Sequence, residues 1–461
     1  MTTEESNPVS RRSFCRTLAL PAGAMVLGSA LPAWARRNKQ EKPSTPAQQD
    51  SEQPKYETKV LWDFGGCIED RFMDRVSTYV YSGNVYLWVL LPEFKTTIVK
   101  VPLDGSTAQM YPLMPGHTTG HDPHRYYRIA ADSLGYIHVC GDMHSSPFVK
   151  HWISKRPEDI SEFVFAAGEG SNRGPQGLRA TYPHFYRSPD GVLYHIIRSS
   201  GPPHWGLCLS VLDVKTQTWT ALASNIPKAD GGKPGHPFTV WEDKGEGGLH
   251  GYTQPHHSIF WGRDKRMHLA FAVLNANTPS ARGRHTLSDV LYAYSDDGGK
   301  TFHRGDGSKI PLPMRADRGP HQGDLVYSEH EGPPPWLELR VQVRTDEQNR
   351  PVVSFSSHRT GDHSLVLEKG KWIERKGATS HASNQTAKNE EEDEEKKSDE
   401  VGAHPHFPYE IHRQNSEYLR DTGNYLFTTF PEKDRFHGNK PKHHRIMLVL
   451  SKPVQATKDV R

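Results

Sequence analysis

The feature that most constrains the fold is a short recurring unit, in which a turn containing Asp, Asn or Gly is followed at once by a strand of alternating apolar and polar residues. The turns fall at residues 82–84, 132–135, 188–191, 263–265 and 346–350. Successive turns are about fifty to eighty residues apart, which is the length of a four-stranded propeller blade with variable loops. The sequence therefore predicts an all-β fold, a β-propeller whose blades have four antiparallel strands each.

A second motif supports the same fold. The segment SDDGGKTF at residues 295–302 matches the pattern S-x-D-x-G-x-T-[FW], known as an Asp-box. We expect the Asp side chain to close a hairpin turn on backbone N–H groups, a glycine to take a positive φ, and Phe302 to pack under the blade. Such a motif specifies a fold strongly and a function weakly, because its side chains are used within the turn.

The N-terminus has the features of an export signal. Arg11 and Arg12 precede a weakly apolar stretch at residues 18–31, and an Ala-Trp-Ala sequence ending at residue 35 resembles a cleavage site. The stretch has too few large apolar residues to span about 30 Å of hydrocarbon. We predict a twin-arginine signal peptide at residues 1–35, recognised by the Tat export machinery, and a mature protein that is periplasmic or secreted.

Two further segments lack the strand pattern. Residues 36–56 are polar and predict a disordered linker, and the charge block near residues 376–403 predicts a disordered acidic insertion within a propeller domain at residues 57–461.

The net charge of +3 is too small to indicate nucleic-acid binding, and no second apolar run predicts a membrane span. We expect a monomer. Cys67, Cys140 and Cys208 are compatible with one disulfide at most.

Polar residues at the ends of predicted strands mark a candidate site. His124 stands just before one strand and His144 just after the next, so the two could face each other at one end of a blade. In the next unit, Tyr182 lies in a Thr-Tyr-Pro-His-Phe segment and Arg198 ends an apolar strand, where a cation is costly unless an anion neutralises it. Tyr252 begins the following unit. Each group also has a structural interpretation: the histidines could be hydrogen-bonded within turns, and Arg198 could belong to a structural ion pair.

The order of these residues resembles a known family. An H-x(19)-H pair, a T-Y-P-x-F segment, an Arg sixteen residues after that Tyr and a downstream Asp-box are similar to BNR-4 type seven-bladed propellers, which include the ulvan lyases of polysaccharide lyase families 24 and 25. The run SLGYIHVCGDMHSSP also resembles that group. The resemblance implies catalytic roles for His124, His144 and Tyr182, and substrate binding by Arg198 and Tyr252. Arg125, Tyr127 and Ser145 depart from the family pattern.

The implied chemistry explains why these residue types would occur together. In β-elimination, a base removes the proton next to a uronate carboxylate, a cation neutralises that carboxylate, and an acid protonates the departing oxygen. Arg198 is suited to be the cation that neutralises the carboxylate. The histidines are suited to act as the base and to contact the carboxylate or the sugar, and Tyr182 is suited to act as the acid or as both acid and base. We expect a lyase acting on an ulvan-like anionic polysaccharide, with no cofactor needed for catalysis.

Two other functions remain open, a sialidase-like exo-glycosidase and a carbohydrate-binding propeller without activity. A sialidase needs three arginines and a Tyr/Glu pair, and Arg198 is the one arginine with a clear case in the sequence. A structural zinc or calcium ion is also open, at His256, His257 and His268 or at His321 and Asp324. These spacings match no recognised ligand pattern, and hydrogen-bonded histidines are the simpler interpretation.

Overall fold

The computed structural model describes most of the propeller region. The described residues are 56–69, 78–120, 122, 124–166, 173–175, 179–199, 206–226, 236–240, 249–251, 258–275, 286–315, 319–329, 337–375, 410–419, 424–430 and 443–453. The predicted signal peptide, all but the last residue of the linker, and the acidic insertion lie outside these ranges. Among the described residues, no helix is long and apolar enough to cross a bilayer.

The named elements are 29 strands and one 3₁₀ turn at Pro92–Phe94. Blade 1 contains β2 (Thr78–Tyr81), β3 (Asn84–Leu91), β4 (Lys95–Pro102) and β5 (Gln109–Pro112); blade 2 contains β6 (Arg128–Ala131), β7 (Ile137–Cys140), β8 (His151–Ser154) and β9 (Phe163–Phe165); blade 3 contains β10 (Thr181–Arg187), β11 (Leu193–Ser199), β12 (Gly206–Asp213) and β13 (Thr218–Ala221). A short pair, β14 (Ser224–Ile226) and β15 (His236–Phe238), follows.

The second half of the chain continues this pattern. Blade 4 contains β16 (Leu249–Gly251), β17 (Ile259–Trp261), β18 (Met267–Asn275), β19 (Thr286–Ser295), β20 (Phe302–His303), β21 (Lys309–Ile310) and β22 (Asp324–Ser328); blade 5 contains β23 (Leu337–Thr345), β24 (Pro351–Ser357), β25 (Gly361–Glu368) and β26 (Lys371–Glu374). Blades 4 and 5 are joined where Leu287 of β19 pairs with Leu337 of β23. The closing sheet contains β27 (Glu410–Leu419), β28 (Asn424–Phe430), β29 (His443–Pro453) and β1 (Tyr56–Glu69).

The architecture is therefore an all-β propeller of antiparallel four-stranded units, as the sequence predicts. The described residues trace five four-stranded units and blade 4, which has seven named strands, and the count of seven blades stays a prediction. The first strand pairs with the last, from Tyr56 opposite Pro453 to Glu69 opposite His443. This pairing confirms that the C-terminal strands close the fold, because it joins the two ends of the domain in one sheet.

The five recurring turns occupy equivalent places. They lie between β2 and β3, β6 and β7, β10 and β11, β17 and β18, and β23 and β24, so each joins two consecutive paired strands of one blade, which in every blade except blade 4 are the first and the second. At the first turn, Ser82 and Gly83 both have positive φ, as a two-residue hairpin of type I′ requires. Neighbouring turns also contact each other, since Lys265 Nζ lies 2.6 Å from Asp190 Oδ1. We call this end of the blades the turn end, and the opposite end the site end.

The Asp-box has the predicted structure. Asp297 accepts hydrogen bonds from the backbone N–H of Thr301 at 2.9 Å and from its hydroxyl at 2.7 Å. Gly298 and Gly299 have φ of +74° and +90°, and Phe302 is fully buried. Because β18 starts at the turn end, the hairpin that follows β19 also lies there. The Asp-box thus lies at the turn end of blade 4, away from the site end.

The core lies between the blades, and this changes the pattern of the inner strands. Residues 85–90 of β3 are all buried, which is a continuous apolar run rather than the alternation seen in strands with one wet face.

Between blades 2 and 3 the core also holds three fully buried imidazoles, His138, His151 and His195, with their rings about the indole of Trp219. We call these the buried histidine cluster. Cys140 and Cys208 are free thiols in the same core.

Candidate active site

Chain direction explains why the predicted site residues meet. Strands β6 and β7 are joined by a turn at the turn end, so the residue before β6 and the residue after β7 both lie at the site end. Arg128 pairs with Cys140 there, with His124 and His144 just beyond. In blade 3, Thr181 at the start of β10 pairs with Arg198 at the end of β11, so Tyr182 and Arg198 also lie at the site end.

Backbone contacts connect the two blades at this place. Ser146 and Ala180 form an isolated antiparallel bridge, with N···O distances of 3.2 and 2.7 Å. The Ser145 N–H also donates to Thr181 Oγ1 at 2.9 Å. The loop that carries His144 is therefore attached directly to the segment that carries Tyr182.

A single carboxylate holds both histidines. His124 Nδ1 lies 2.5 Å from Asp122 Oδ1, and His144 Nδ1 contacts Asp122 Oδ2. The His124 backbone N–H also donates to Asp122 Oδ1 at 3.0 Å. Partial burial alone would raise the pKa of Asp122, but these hydrogen bonds outweigh it and lower that pKa to about 2. Asp122 is thus ionised at neutral pH.

The two imidazoles form one face of the site. Their ring centroids are 4.1 Å apart and the planes differ by 14°, so the rings are stacked. About 29% of the His124 side chain and 38% of the His144 side chain remain exposed, which leaves both accessible to a solute. The Tyr182 ring lies 5.5 Å from that of His124.

Tyr182 has an unusual backbone. Its φ is +60°, a region that a bulky residue rarely occupies, and the β10–β11 register shifts between Thr181 and His184. A bulge of this kind redirects a side chain that a regular strand would place elsewhere. The cost of such a conformation is about 1–3 kcal/mol, and strained residues of this type are concentrated at functional sites.

Two buried arginines flank two phenols. The Arg198 guanidinium lies 4.5 Å from the Tyr182 ring centroid, and that of Arg128 lies 4.4 Å from the Tyr126 ring centroid. The Tyr126 and Tyr182 rings are stacked 6.2 Å apart. The order of groups is thus Arg198, Tyr182, Tyr126 and Arg128, with both arginines 6% exposed. Guanidinium groups against aromatic faces gain cation–π stabilisation and bring positive charge to the site.

A second carboxylate connects the same two segments. Buried Asp142 accepts from Arg125 at 3.1 Å and forms an ion pair with Lys150. Arg125 follows His124, and Asp142 precedes His144 by two residues. The two segments that carry the histidines are therefore held together by two sets of side-chain contacts, one through Asp122 and one through Asp142.

Of the five residues predicted from sequence, the structure brings together His124, His144, Tyr182 and Arg198. Tyr252 lies outside the described residues. Sequence reasoning missed Asp122, Tyr126 and Arg128, although all three lie within the GHDPHRYYR segment at residues 120–128. The Asp-x-His spacing at residues 122–124 was an available signal for Asp122.

Two of the histidines considered as metal ligands from the sequence make hydrogen bonds in the structure. His268 Nδ1 hydrogen-bonds the Tyr292 hydroxyl at 2.7 Å, and His321 Nδ1 lies 3.1 Å from the Pro313 carbonyl oxygen. His256 and His257 lie outside the described residues. Within the described part of the chain, one group has three ligand atoms within 4.8 Å of one another, namely Asp122, His124 and His144. The Asp122 oxygens are at hydrogen-bond contact with both Nδ1 atoms, closer than the roughly 3.3 Å between ligands of a tetrahedral ion with bonds of about 2.0 Å, so this arrangement of the carboxylate and the two rings fits a metal poorly.

Comparison with known proteins identifies similar solved structures and the family of the chain. Among solved structures, similar ones include a PL25 ulvan lyase bound to -[GlcA(1-4)Rha3S]- (15% identity, TM-score 0.47, covering 68% of this chain and 73% of that chain) and the polysaccharide lyase Uly1 (11%, 0.49, 81% and 89%). An endo-arabinase from Bacteroides thetaiotaomicron VPI-5482 is also similar (11%, 0.30, 67% and 100%). None of the curated proteins matches the chain. The model of the family described as "BNR repeat-containing family member" matches residues 92–380, well over half of the sequence, and the chain belongs to that family.

Proposed function

We propose that this protein is a polysaccharide lyase that cleaves a uronic-acid-containing, ulvan-like anionic polysaccharide by β-elimination. The observation that carries the proposal is the meeting of His124, His144, Tyr182 and Arg198 at the site end of two adjacent blades. Elimination next to a carboxylate requires a base, an acid and a cation within one sugar ring of each other, and this group supplies all three.

Arg198 is the proposed partner of the uronate carboxylate. The proton on C5 of a uronate is weakly acidic because its removal places negative charge on the carboxylate as an enolate. A guanidinium in a desolvated position stabilises that charge more in the transition state than in the ground state, which is the condition for catalysis. The burial of the Arg198 side chain beside Tyr182 supports this role.

His144 and His124 are the proposed base and sugar-contact residues. An imidazole takes protons efficiently near neutral pH. Of the two rings, His144 is the more exposed, so it meets an incoming sugar with the smaller displacement of protein atoms. The base takes the proton from C5 as the C5–H electron pair forms the C4=C5 double bond.

Tyr182 is the proposed acid. As the double bond forms, the bond between C4 and the glycosidic oxygen breaks, and the phenol donates its proton to that oxygen. The products are an unsaturated uronate and a polymer fragment with a new reducing end, and no water is consumed. The protons balance when the base releases its proton to solvent and the tyrosinate recovers one. Tyr252 is retained as a proposed substrate contact.

The direct test is to incubate the purified mature protein with ulvan and with other uronate polymers, and to record ultraviolet absorbance of the new C=C bond. We expect absorbance to rise with at least one polymer. His144→Gln, Tyr182→Phe and Arg198→Met should each lower turnover by roughly 10²-fold or more. As matched controls, His303→Gln at the turn end and Tyr111→Phe on an outer strand should retain wild-type turnover.

The rival functions give different results in the same experiment. A sialidase would release sialic acid and no unsaturated product, and that outcome would overturn the lyase proposal. A carbohydrate-binding propeller would hold polymer without turnover, and its His144→Gln variant would keep most of its affinity. A lyase instead loses turnover in this variant. Secretion through the Tat pathway is part of the proposal, since an extracellular polymer is reached only outside the cytoplasm.

A further inference from the structure

Asp122 occupies a position that the elimination chemistry does not use directly. Its two carboxylate oxygens are divided between two imidazoles, with Oδ1 on His124 and Oδ2 on His144, and both contacts are made by Nδ1. The His124 backbone N–H adds a third hydrogen bond and fixes the carboxylate relative to the chain. The side chain is 29% exposed, so these contacts are made in a partly desolvated place.

This arrangement determines which ring nitrogen carries the proton. An ionised carboxylate only accepts hydrogen bonds, so an Nδ1 in contact with it must donate. A neutral imidazole has one donor nitrogen and one acceptor nitrogen, so in both rings the lone pair is on Nε2. Each histidine then has its basic lone pair on Nε2 while Nδ1 is bound to Asp122.

The stacked rings need this support. Parallel imidazoles 4.1 Å apart could rotate about their side-chain torsions and exchange tautomers. The shared carboxylate removes both freedoms, because rotation of either ring would break its hydrogen bond. Asp142 does not substitute for it, since its oxygens are used by Arg125 and Lys150.

We propose that Asp122 is the positioning residue of the site, which fixes His124 and His144 in the Nδ1–H tautomer and directs both Nε2 atoms toward the substrate. This inference rests on the proposed lyase function for its kinetic consequence, whereas its structural part stands without it. The corresponding aspartate of serine proteases acts in the same way on one histidine, and its replacement by Asn lowers turnover about 10⁴-fold through the wrong tautomer. Here one carboxylate acts on two rings.

The first experiment measures the tautomers directly, with ¹⁵N-histidine labelling and long-range ¹H–¹⁵N correlation of the imidazoles near pH 7.5. Loss of signals in His124→Gln and in His144→Gln assigns the two rings. We expect both to show the Nδ1–H pattern in the wild type, and at least one to change in Asp122→Asn. Asp296→Asn at the turn end is the matched control and should leave both patterns unchanged. Nε2–H tautomers in the wild type would overturn the inference.

The second experiment measures kinetics on whichever uronate polymer the wild type cleaves. Asp122→Asn should lower kcat by about 10²–10⁴-fold while KM changes by less than about threefold. Asp122→Glu keeps an acceptor carboxylate and should recover part of kcat. If the wild type cleaves and Asp122→Asn keeps its kcat, the inference fails while the lyase function stands. If the wild type cleaves nothing, the lyase function fails and the tautomer measurement still decides the inference.

The rival explanation is that these three residues hold a metal ion. Elemental analysis of the purified protein and a zinc titration separate the two. We expect less than about 0.1 equivalent of bound metal and no change in turnover after chelation. One equivalent of zinc in the wild type that is lost in Asp122→Asn would overturn the positioning role.

Discussion

The buried histidine cluster gives the most quantitative prediction for this protein. His195 is fully buried on β11, and in the described structure neither of its ring nitrogens has a hydrogen-bond partner. Its neighbours are the rings of Phe185 and Trp219. Burial lowers the pKa of His195 from 6.5 to about 3, because an imidazolium there would lose its hydration without gaining an anion.

The sign follows from which state binds the proton. Below pH 6.5 the unfolded chain protonates His195 and the folded protein does not, so the unfolded state is stabilised as pH falls. The effect begins near pH 6.5 and levels off below pH 3. At pH 4.5, two pH units below the unfolded pKa, it amounts to about 2–3 kcal/mol of lost stability, compared with about 0.2 kcal/mol at pH 7.

The perturbation is His195→Leu, which keeps the volume roughly constant and removes the titrating group. The assay is urea unfolding followed by tryptophan fluorescence at pH 7 and at pH 4.5. The wild type should lose about 2–3 kcal/mol more unfolding free energy between the two pH values than the variant does. His151, whose pKa is lowered well below 6.5 by burial and by the neighbouring His138 and His195, is present in both proteins, so only its electrostatic coupling to His195 enters the difference.

The control is His358→Gln, which removes an imidazole that is exposed in the folded protein. It should leave the wild-type dependence on pH unchanged. If His195→Leu and the wild type lost equal stability on acidification, the reasoning from burial would be refuted, and His195 would have to be protonated or hydrated in the native state.

Three further predictions concern single side chains. Ser145 is exposed with φ of +53°, a conformation that Asn tolerates better, so Ser145→Asn should raise the unfolding free energy by about 0.5–1 kcal/mol in the same urea assay, and a loss of stability would contradict the assigned strain. Asp297→Ala removes the hydrogen bonds that close the Asp-box turn and should cost about 1–2 kcal/mol of stability, with kcat on a cleaved polymer unchanged, since the motif is at the turn end. Arg128→Met removes a buried cation beside Tyr126 and should raise KM for the anionic polymer roughly tenfold or more with a smaller effect on kcat, and an unchanged KM would exclude Arg128 from substrate binding.

Much of the site could be predicted because it depends on chain direction alone. A turn joins the first and second strands of a blade at one end, so the residue before the first strand and the residue after the second strand lie together at the other end. The same turn recurs in the next blade. His124 with His144, and Tyr182 with Arg198, are paired by this geometry without knowledge of any tertiary contact. The Asp-box was equally predictable, because Asp297, its glycines and Thr301 interact within one turn.

Other features depend on contacts between blades, which a sequence pattern does not encode. The division of the Asp122 carboxylate between two rings requires a loop from each side of blade 2 to meet at one point. The stacking of Tyr126 on Tyr182 joins blades 2 and 3, and the bulge that gives Tyr182 its positive φ has no marker in the sequence beyond Pro183.

Sequence by itself determined the strand-and-turn repeat, the all-β class and the end of the blades at which the polar residues collect, because each of these follows from local periodicity and the direction of the chain. Tertiary structure alone decided which polar groups touch and which are removed from water. His138 and His195 look like His124 in the sequence, yet the first two are fully buried against Trp219 and the third is at the surface of the site. The physical reason is that burial is set by the packing of one blade against the next, and that packing brings together residues far apart in the chain.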